Sequence, residues 1–490
     1  MTDQTVPDLQ VDVAIVGSGF AGLGAAVKLA EAGRGDFVIL EKGTSVGGTW
    51  RDNTYPGCAC DVQSHLYSFS FAPNPNWTRT FARQPEIRAY LESIADDYGL
   101  RDRLRFGREI TGLEWDGTRW AVTSADGSVV HARAVVWGTG PLHLPSLPDI
   151  EGLEDFRGTV FHSSRWNHDH DLRGKRVAVV GTGASAIQFV PRIQREVASL
   201  SLFQRTAPWV LPKPDREIPG FLRRLYRSFP AAQKVQRSLV YARNEMLVGG
   251  FLKPARMKVI EGFARAYLDR RFADRPDLKA KLTPDFTIGC KRILMSNDYY
   301  SALKQPNVDV ITDGIVRVTS TGVVTADGIE HEVDTIIFGT GFRVGEGMGE
   351  VAVTGRDGVK LADVWADGPQ AHLGTTVAGF PNLFLMIGPN TGLGHSSMVF
   401  MIESQTSFIV DALRLVDAHG VTAIDTRRDR QDAFNAEVQK RLEGSVWNSG
   451  GCKSWYLDSH GNNRTVWPGY TFDYRRRTRK VNPADHELVS

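Results

Sequence analysis

Two glycine-rich turns limit what this chain is able to fold into. An apolar, β-branched run over residues 11–16 opens into Gly17-Ser18-Gly19-Phe20-Ala21-Gly22, and about 160 residues later a second run, 176–180, opens into Gly181-Thr182-Gly183-Ala184-Ser185-Ala186. A helical pattern follows each, so each turn sits between a strand and a helix. Glycine there lets the chain turn tightly and lets backbone N–H groups approach a pyrophosphate, while the helix N-terminus adds a partial positive charge. Two such turns predict two bound dinucleotides. A chain holding both is able to pass a hydride between them, which points to a flavoprotein reduced by a nicotinamide cofactor.

The two units differ where their second strands end. The first, over 37–40, ends in Glu41, nineteen residues beyond Gly22. A carboxylate there accepts from a ribose diol and repels a 2′-phosphate, which suits the adenosine half of FAD. The second, over 200–204, ends in Arg205-Thr206. A guanidinium cannot accept from a diol but pairs bidentately with a 2′-phosphate, so NADPH is expected in preference to NADH.

At 490 residues the chain exceeds what one core supports. The predicted fold is α/β, with two Rossmann-like dinucleotide-binding domains. Residues 1–145 are read as the first part of the FAD domain and 146–337 as the NADPH domain, with a helical insertion at about 213–285. Residues 338–490 are read as the return to the FAD domain, ending in an active-site loop. Gly138-Thr139-Gly140 and Gly339-Thr340-Gly341 mark crossings between the domains. Short strands are expected at 120–123, 129–130 and 134–137, and a final strand at 383–388. Asn390 lies in the glycine-rich turn after it, which opens a helix over 398–416 whose N-terminus could face the flavin. The insertion either covers a substrate cavity or forms a surface subdomain, and Gly450-Gly451 suggests a mobile loop.

Charge is nearly balanced, 58 basic against 56 acidic residues for a net +2, so nothing global calls for nucleic acid or a membrane surface. The basic run at 475–480 reads as a solvated or salt-bridged edge. Four cysteines, Cys58, Cys60, Cys290 and Cys452, are too few and too irregular for a disulfide scaffold and suggest a reducing compartment. The N-terminus lacks a secretory pattern, and no apolar run approaches the roughly 18 residues of a spanning helix. A soluble cytoplasmic protein with no integral membrane segment, no nucleic-acid partner and no metal is expected.

Three further stretches carry a family resemblance. Phe156-Arg157-Gly158-Thr159-Val160-Phe161-His162-Ser163-Ser164-Arg165-Trp166-Asn167 resembles the F-x-G-x-x-x-H-x-x-x-W signature of type I flavin-dependent Baeyer–Villiger monooxygenases, class B flavoprotein monooxygenases, placed just before the second turn as in that family. Gly47-Gly48-Thr49-Trp50, with Tyr55-Pro56-Gly57 and Asp61, is similar to the family's G-G-x-W-x-x-x-x-[FY]-P-G-x-x-x-D pattern. Lys291-Arg292 looks like the segment that carries the family's active-site arginine. The likeness spans about residues 11–467, with one departure at Asn167, where proline or aspartate is usual.

The resemblance implies that NADPH reduces FAD and that oxygen adds to give a peroxyflavin, which attacks a ketone and yields an ester or lactone. Arg292 would stabilise the anions of that sequence with a charge that cannot be lost at neutral pH, and Asp61 would hold it. Lys291 would join Arg205 and Thr206 at the 2′-phosphate, and Lys42, Tyr67, Ile110 and Asn390 would complete the FAD site. His162 and Trp166, with Phe156 and Gly158, would set domain position rather than transfer protons. The nearest rival is a flavin N- or S-monooxygenase that oxygenates amines or thioethers, and Trp166 favours the ketone branch over it. A disulfide oxidoreductase would need a redox cysteine pair beside the flavin, which Cys58 and Cys60, two apart, do not supply. A flavin-binding protein without turnover is the third possibility.

Overall fold

The computed structural model describes residues 9–344, 348, 350–452, 454–458 and 460–490. The N-terminal residues on which the signal-peptide reading bears, 1–8, lie outside them.

Two parallel-centred sheets organise the chain. In the larger, Leu9–Val16 runs parallel to Phe37–Glu41 on one side and to Val129–Trp137 on the other. Val13, Ala14 and Ile15 are wholly buried, as expected of a strand covered on both faces. Leu104–Phe106 extends the sheet beyond Phe37–Glu41. Val129–Trp137 also pairs antiparallel with Trp120–Ser124, which continues to Ile110–Trp115. The chain returns to this sheet late, through Ala352–Thr354 and Leu383–Leu385. The second sheet is wholly parallel, in the order Val308–Ile311, Ser199–Phe203, Arg176–Val180, Thr335–Phe338, Thr159–His162.

The same backbone crossing recurs in both sheets. Gly17 has φ +97, and a Cβ on it would lie 2.8 Å from the Gly138 carbonyl oxygen; Gly181 has φ +106, and its Cβ would lie 2.6 Å from that of Gly339. Each Gly-Thr-Gly therefore passes directly over a nucleotide turn, and neither approach leaves room for a side chain.

Between the paired strands Val210–Leu211 and Leu294–Met295 lies the helical insertion. Its helices are Gly220–Ser228, Pro230–Met246, Val248–Phe251, Pro254–Arg271 and Pro276–Leu282. Three of the five open on proline, whose missing N–H has no intrahelical role at that position.

Several expectations need correction. Residues 129–137 form one strand, not two, because Ala132 and Ala134 pack in the core where the pattern suggested a break. The strand at 383 spans only Leu383–Leu385 and is not the last, since Ala423–Thr426 and His486–Val489 pair antiparallel after it. The helix opening at Met398 runs to His419 and closes on Gly420 at φ 62. The basic run does sit in ion pairs: Arg475 with Glu403, Arg476 with Asp473 and Arg477 with Glu437.

Candidate active site between two nucleotide turns

At the first turn, helix Phe20–Glu31 starts from Gly19 without a side-chain cap, so its leading N–H groups have no partner within the helix. A Cβ on Gly22 would lie 1.8 Å from the Gly17 oxygen, and one on Gly48 (φ +51) would lie 3.3 Å from Gly19 Cα. Two glycine segments thus face each other across a space that any side chain would fill, which fits an incoming pyrophosphate. Glu41 is buried at the strand end. Its Oε2 accepts from Ser18 N (2.9 Å) and Ser18 Oγ (2.8 Å), and its Oε1 from Gly43 N (2.7 Å) and Arg51 Nη1 (2.8 Å). Burial works against ionisation here, but Arg51 and these donors outweigh it and hold the carboxyl below its usual range.

Of the other first-site residues, Trp50 Nε1 donates to Tyr67 Oη at 3.1 Å, and the Phe20 ring lies edge-on to Tyr67. Lys42 and Thr49 are exposed, and Ile110 is buried. Asn390 is buried at φ 57 and donates to the carbonyls of Asn463 and Val466. Its Oδ1 has no hydrogen-bond partner among the described residues.

At the second turn, helix Ala186–Ile193 starts from Ser185, again without a side-chain cap, and Gly183 and Ala184 are exposed. Thr182 Oγ1 donates to the Thr206 carbonyl at 3.2 Å. Burial and then the adjacent Arg205 charge depress the Lys291 ammonium. Neither cation forms a salt bridge among the described residues. Two charges held near each other in this way favour a multiply charged anion.

Asp61 and Arg292 form a two-armed pair, Nε to Oδ2 at 2.5 Å and Nη2 to Oδ1 at 2.8 Å. Arg292 Nη1 also donates to the Leu393 carbonyl at 3.2 Å. The Asp61 charge drives the Arg292 pKa up; burial opposes ionisation of Asp61, yet Arg292 and Lys213 hold its carboxyl below the usual range. About a third of each side chain remains accessible, so the guanidinium is held without being sealed off.

Sequence reasoning missed two residues here. Lys213 Nζ donates to the Cys60 carbonyl at 2.9 Å and lies 4.9 Å from the centre of the Phe81 ring. Burial lowers its pKa, partly offset by the Cys60 and Asp61 side. Gln188, on the second-turn helix, accepts from Ala59 N (3.1 Å) and Tyr55 Oη (3.2 Å) and donates to the Ala59 carbonyl (3.0 Å). The segment carrying Asp61 is therefore gripped by residues of the second unit. A Cβ on Gly57 would lie 2.8 Å from the Gln188 carbonyl oxygen, which explains the glycine in that motif. No local pattern marks either Lys213 or Gln188, both ordinary surface residue types.

A Cβ on Gly158 would come 2.4 Å from the Asp334 oxygen and 2.5 Å from the buried Phe156 ring. Trp166 packs on Phe189 (5.3 Å between ring centres), which meets Tyr55 (6.0 Å). An aromatic chain thus joins the linker, the second-turn helix and the Asp61 segment. His162 accepts from Ser164 N through Nδ1, and burial lowers its pKa to about 4, which leaves it neutral. Asn167 Oδ1 accepts from Asp169 N, the turn an aspartate would also make.

The cysteines correct the sequence reading. Cys290 and Cys452, counted among cysteines too few and too irregular for a disulfide scaffold, form a disulfide across 162 residues, between the loop before Lys291 and the C-terminal loop. Thr287 N donates to the Gly450 carbonyl at 2.9 Å, and a Cβ on Gly450 would lie 2.6 Å from Cys290 Cβ. Gly450-Gly451 is thereby docked against the arginine segment. Cys58 and Cys60 are free, buried thiols, and burial pushes Cys58 up to about 11. Among the described residues no cluster of potential metal ligands occurs, and no helix is long and apolar enough to cross a membrane.

A parallel-centred sheet with an uncapped glycine turn, twice over, the two units joined where Gln188 grips Ala59, defines a two-dinucleotide oxidoreductase of the flavoprotein type. Residues 14–226 match a family model described as pyridine nucleotide-disulphide oxidoreductase. The chain is 52% identical over 98% of its length to a Baeyer–Villiger monooxygenase of Pseudomonas aeruginosa, covering 91% of that protein. It is 53% identical over 98% of its length to a Baeyer–Villiger monooxygenase of Streptomyces coelicolor, covering 93% of that one. Cyclohexanone monooxygenase from Rhodococcus sp. Phi1, solved bound to NADP+, superimposes with a TM-score of 0.88 over 99% of this chain and 100% of the other, at 29% identity. The chain belongs to the Baeyer–Villiger monooxygenase family.

Proposed function

We propose that this enzyme uses NADPH and dioxygen to convert ketones into esters or lactones. Bound FAD, once reduced by NADPH, supplies the chemistry that activates dioxygen and delivers one oxygen atom to the substrate. The reading rests above all on the Asp61–Arg292 pair, a permanent cation held on the segment that the second-turn helix grips.

In this reading Gly17, Gly19, Phe20, Ala21 and Gly22 receive the FAD pyrophosphate, and Glu41 the ribose. Gly181, Gly183, Ala184, Ser185 and Ala186 receive the NADPH pyrophosphate, and Arg205, Thr206 and Lys291 its 2′-phosphate. Arg292 stabilises negative charge as it develops on the carbonyl oxygen, and Asp61 fixes the guanidinium plane. A charge that is present at every physiological pH favours nucleophilic oxygenation of a carbonyl over oxygenation of amines or thioethers, which needs a proton delivered. Residues 1–145 and 338–490 are assigned to the FAD domain and 146–337 to the NADPH domain. Cytoplasmic residence is proposed from composition, with Cys290–Cys452 as a disulfide that such a compartment would tend to reduce.

Product analysis tests the whole: cyclic, linear and aryl ketones and a thioether are incubated with NADPH and air. Ester or lactone from at least one ketone, with oxidation of NADPH in step, is the expected result. Sulfoxide alone would return the N- or S-monooxygenase reading.

A further inference from the structure

The near-neutral net charge conceals a strongly basic segment. Between residues 220 and 258 nine cations stand against a single carboxylate, Glu245. That carboxylate is turned inward, accepting from Thr471 N (2.9 Å) and Thr471 Oγ1 (2.8 Å) and lying 3.1 Å from His395 Nε2. Arg237 is also turned inward, donating to the carbonyls of His65 and Ser68. Arg224, Arg227, Lys234, Arg243, Arg256 and Lys258 are exposed, and none forms a salt bridge among the described residues.

Apolar side chains stand in solvent between these cations. On helix Pro230–Met246, Val235, Leu239, Ala242 and Met246 are all exposed, and Met246 is 73% accessible. At 100° per residue they fall within about 60° of one another, a single stripe with Lys234 on one flank and Arg243 on the other. On Pro254–Arg271, Ala255, Val259, Gly262, Phe263 and Ala266 form a second, broader stripe of about 100°, with Val259 79% accessible. Arg256 flanks it on one side and Lys258 on the other, while Arg265 is paired with Glu261 at 2.8 Å. On the short helix before them, Phe221 and Leu225 are exposed beside Arg224, and Phe229 at its end is 64% accessible.

We propose that this insertion seats the enzyme on the surface of an anionic phospholipid bilayer, its apolar stripes entering the acyl boundary and its unpaired cations meeting the headgroups. Exposed aliphatic and aromatic stripes flanked by lysine and arginine, with no helix among the described residues long and apolar enough to span, are the features of an interfacial rather than a transmembrane contact. A second copy of this face is a poor occupant, because pairing two of them brings unpaired cations together. Nucleic acid would use the cations but leave the apolar stripes in water.

The inner side of the insertion, through Met257 of helix Pro254–Arg271 and Phe251 of helix Val248–Phe251, abuts the arginine segment. A Cβ on Gly289 would lie 2.9 Å from both Met257 and Phe251, and Phe251 stacks on Trp447 at 5.2 Å between ring centres. An apolar substrate dissolved in lipid would therefore meet the enzyme on the side where the candidate site is walled.

The test is co-sedimentation of the full FAD-loaded chain with vesicles of phosphatidylcholine alone and of phosphatidylcholine with phosphatidylglycerol. Binding to the anionic vesicles and little to the neutral ones is expected. A Leu239→Glu/Met246→Glu double variant should bind at least tenfold more weakly, and Lys234→Glu/Arg243→Glu likewise, both retaining FAD and wild-type turnover of a water-soluble ketone. The proposal is overturned by absence of binding to anionic vesicles, or by unchanged binding in the Leu239→Glu/Met246→Glu variant. It is equally overturned if light scattering shows a dimer that this variant dissociates while vesicles are ignored, or if duplex nucleic acid is retained undiminished by the variant and lipid is not.

Discussion

Asp61 and Arg292 stand 231 residues apart in the chain and meet through two parallel hydrogen bonds. A carboxylate that holds one edge of a guanidinium through two bonds fixes its plane and so where its remaining N–H groups point, and one of them is directed at the Leu393 carbonyl. Removal of this charge should therefore damage oxygen transfer far more than FAD binding. Arg292→Ala is expected to remain yellow and to consume NADPH, yet to release hydrogen peroxide in place of ester. Loss of one preorganised charge costs about 2.7–4 kcal/mol, a hundredfold to a thousandfold in rate. Arg292→Lys should recover only part, since an ammonium lacks the planar fork. Ester formed per NADPH oxidised is the measurement, and near wild-type coupling in Arg292→Ala would remove the central group of the mechanism.

Arg205 and Lys291 are near enough for Arg205 to depress the Lys291 ammonium. If a 2′-phosphate lies between them, Arg205→Ala should raise the KM for NADPH about tenfold or more, from a loss of about 1.5–3 kcal/mol, and leave that for NADH nearly unchanged. Steady-state kinetics with the two cofactors decide this. An unaltered preference would place the phosphate elsewhere.

Lys213 holds the Cys60 carbonyl and lies close enough to Asp61 to lower its pKa. Lys213→Met should leave FAD content intact and lower ester formation about tenfold, the usual cost of a lost charged hydrogen bond. Lys213→Arg should restore part of it. Coupling measured beside flavin absorbance separates a shifted Asp61 segment from simple misfolding, in which both would fall together.

Asp425 is buried, accepts from Gly379 N at 2.9 Å, and is raised by that burial to about 6 from an unperturbed 3.8. Between those values the folded chain keeps a proton that the unfolded chain has lost, so its contribution falls as pH rises through the window and stays low above it. Asparagine keeps the acceptor and removes the charge. Asp425→Asn should therefore raise the Tm near neutral pH, by at most about 3 kcal/mol in stability, with the gain shrinking towards pH 4. Thermal unfolding of both proteins across that range is the check, and a gain that grew on acidification would contradict it.

The Cys290–Cys452 bond closes a loop of 162 residues between the arginine segment and the C-terminal loop. Cys452→Ser should cost about 2–4 kcal/mol of stability. FAD should stay bound, since no FAD-turn residue takes part. Unfolding in denaturant with and without reductant would show the difference; a reductant-insensitive wild type matching the variant would mean that the bond does not form in solution.

The parts of the site that depend on short stretches of backbone were legible in the sequence. A strand, a glycine turn and a helix start encode a nucleotide turn within a few residues, because only glycine tolerates φ near +100 and a carbonyl oxygen within 3 Å. Glu41 and Arg205 followed from their distance to those turns, and Asp61 and Arg292 from motifs of fixed spacing. What the tertiary structure alone decided is which distant residues meet. Gln188 reaches Ala59 across 129 residues, Lys213 reaches Cys60 across 153, and Cys290 finds Cys452 across 162. Such contacts depend on how two sheets and an insertion dock, and the pairing energy lies in positions that no local pattern of glutamine, lysine or cysteine specifies. The same reason hid the basic, apolar face of the insertion. Net charge sums over the chain, whereas a surface is defined by which side chains folding leaves in water.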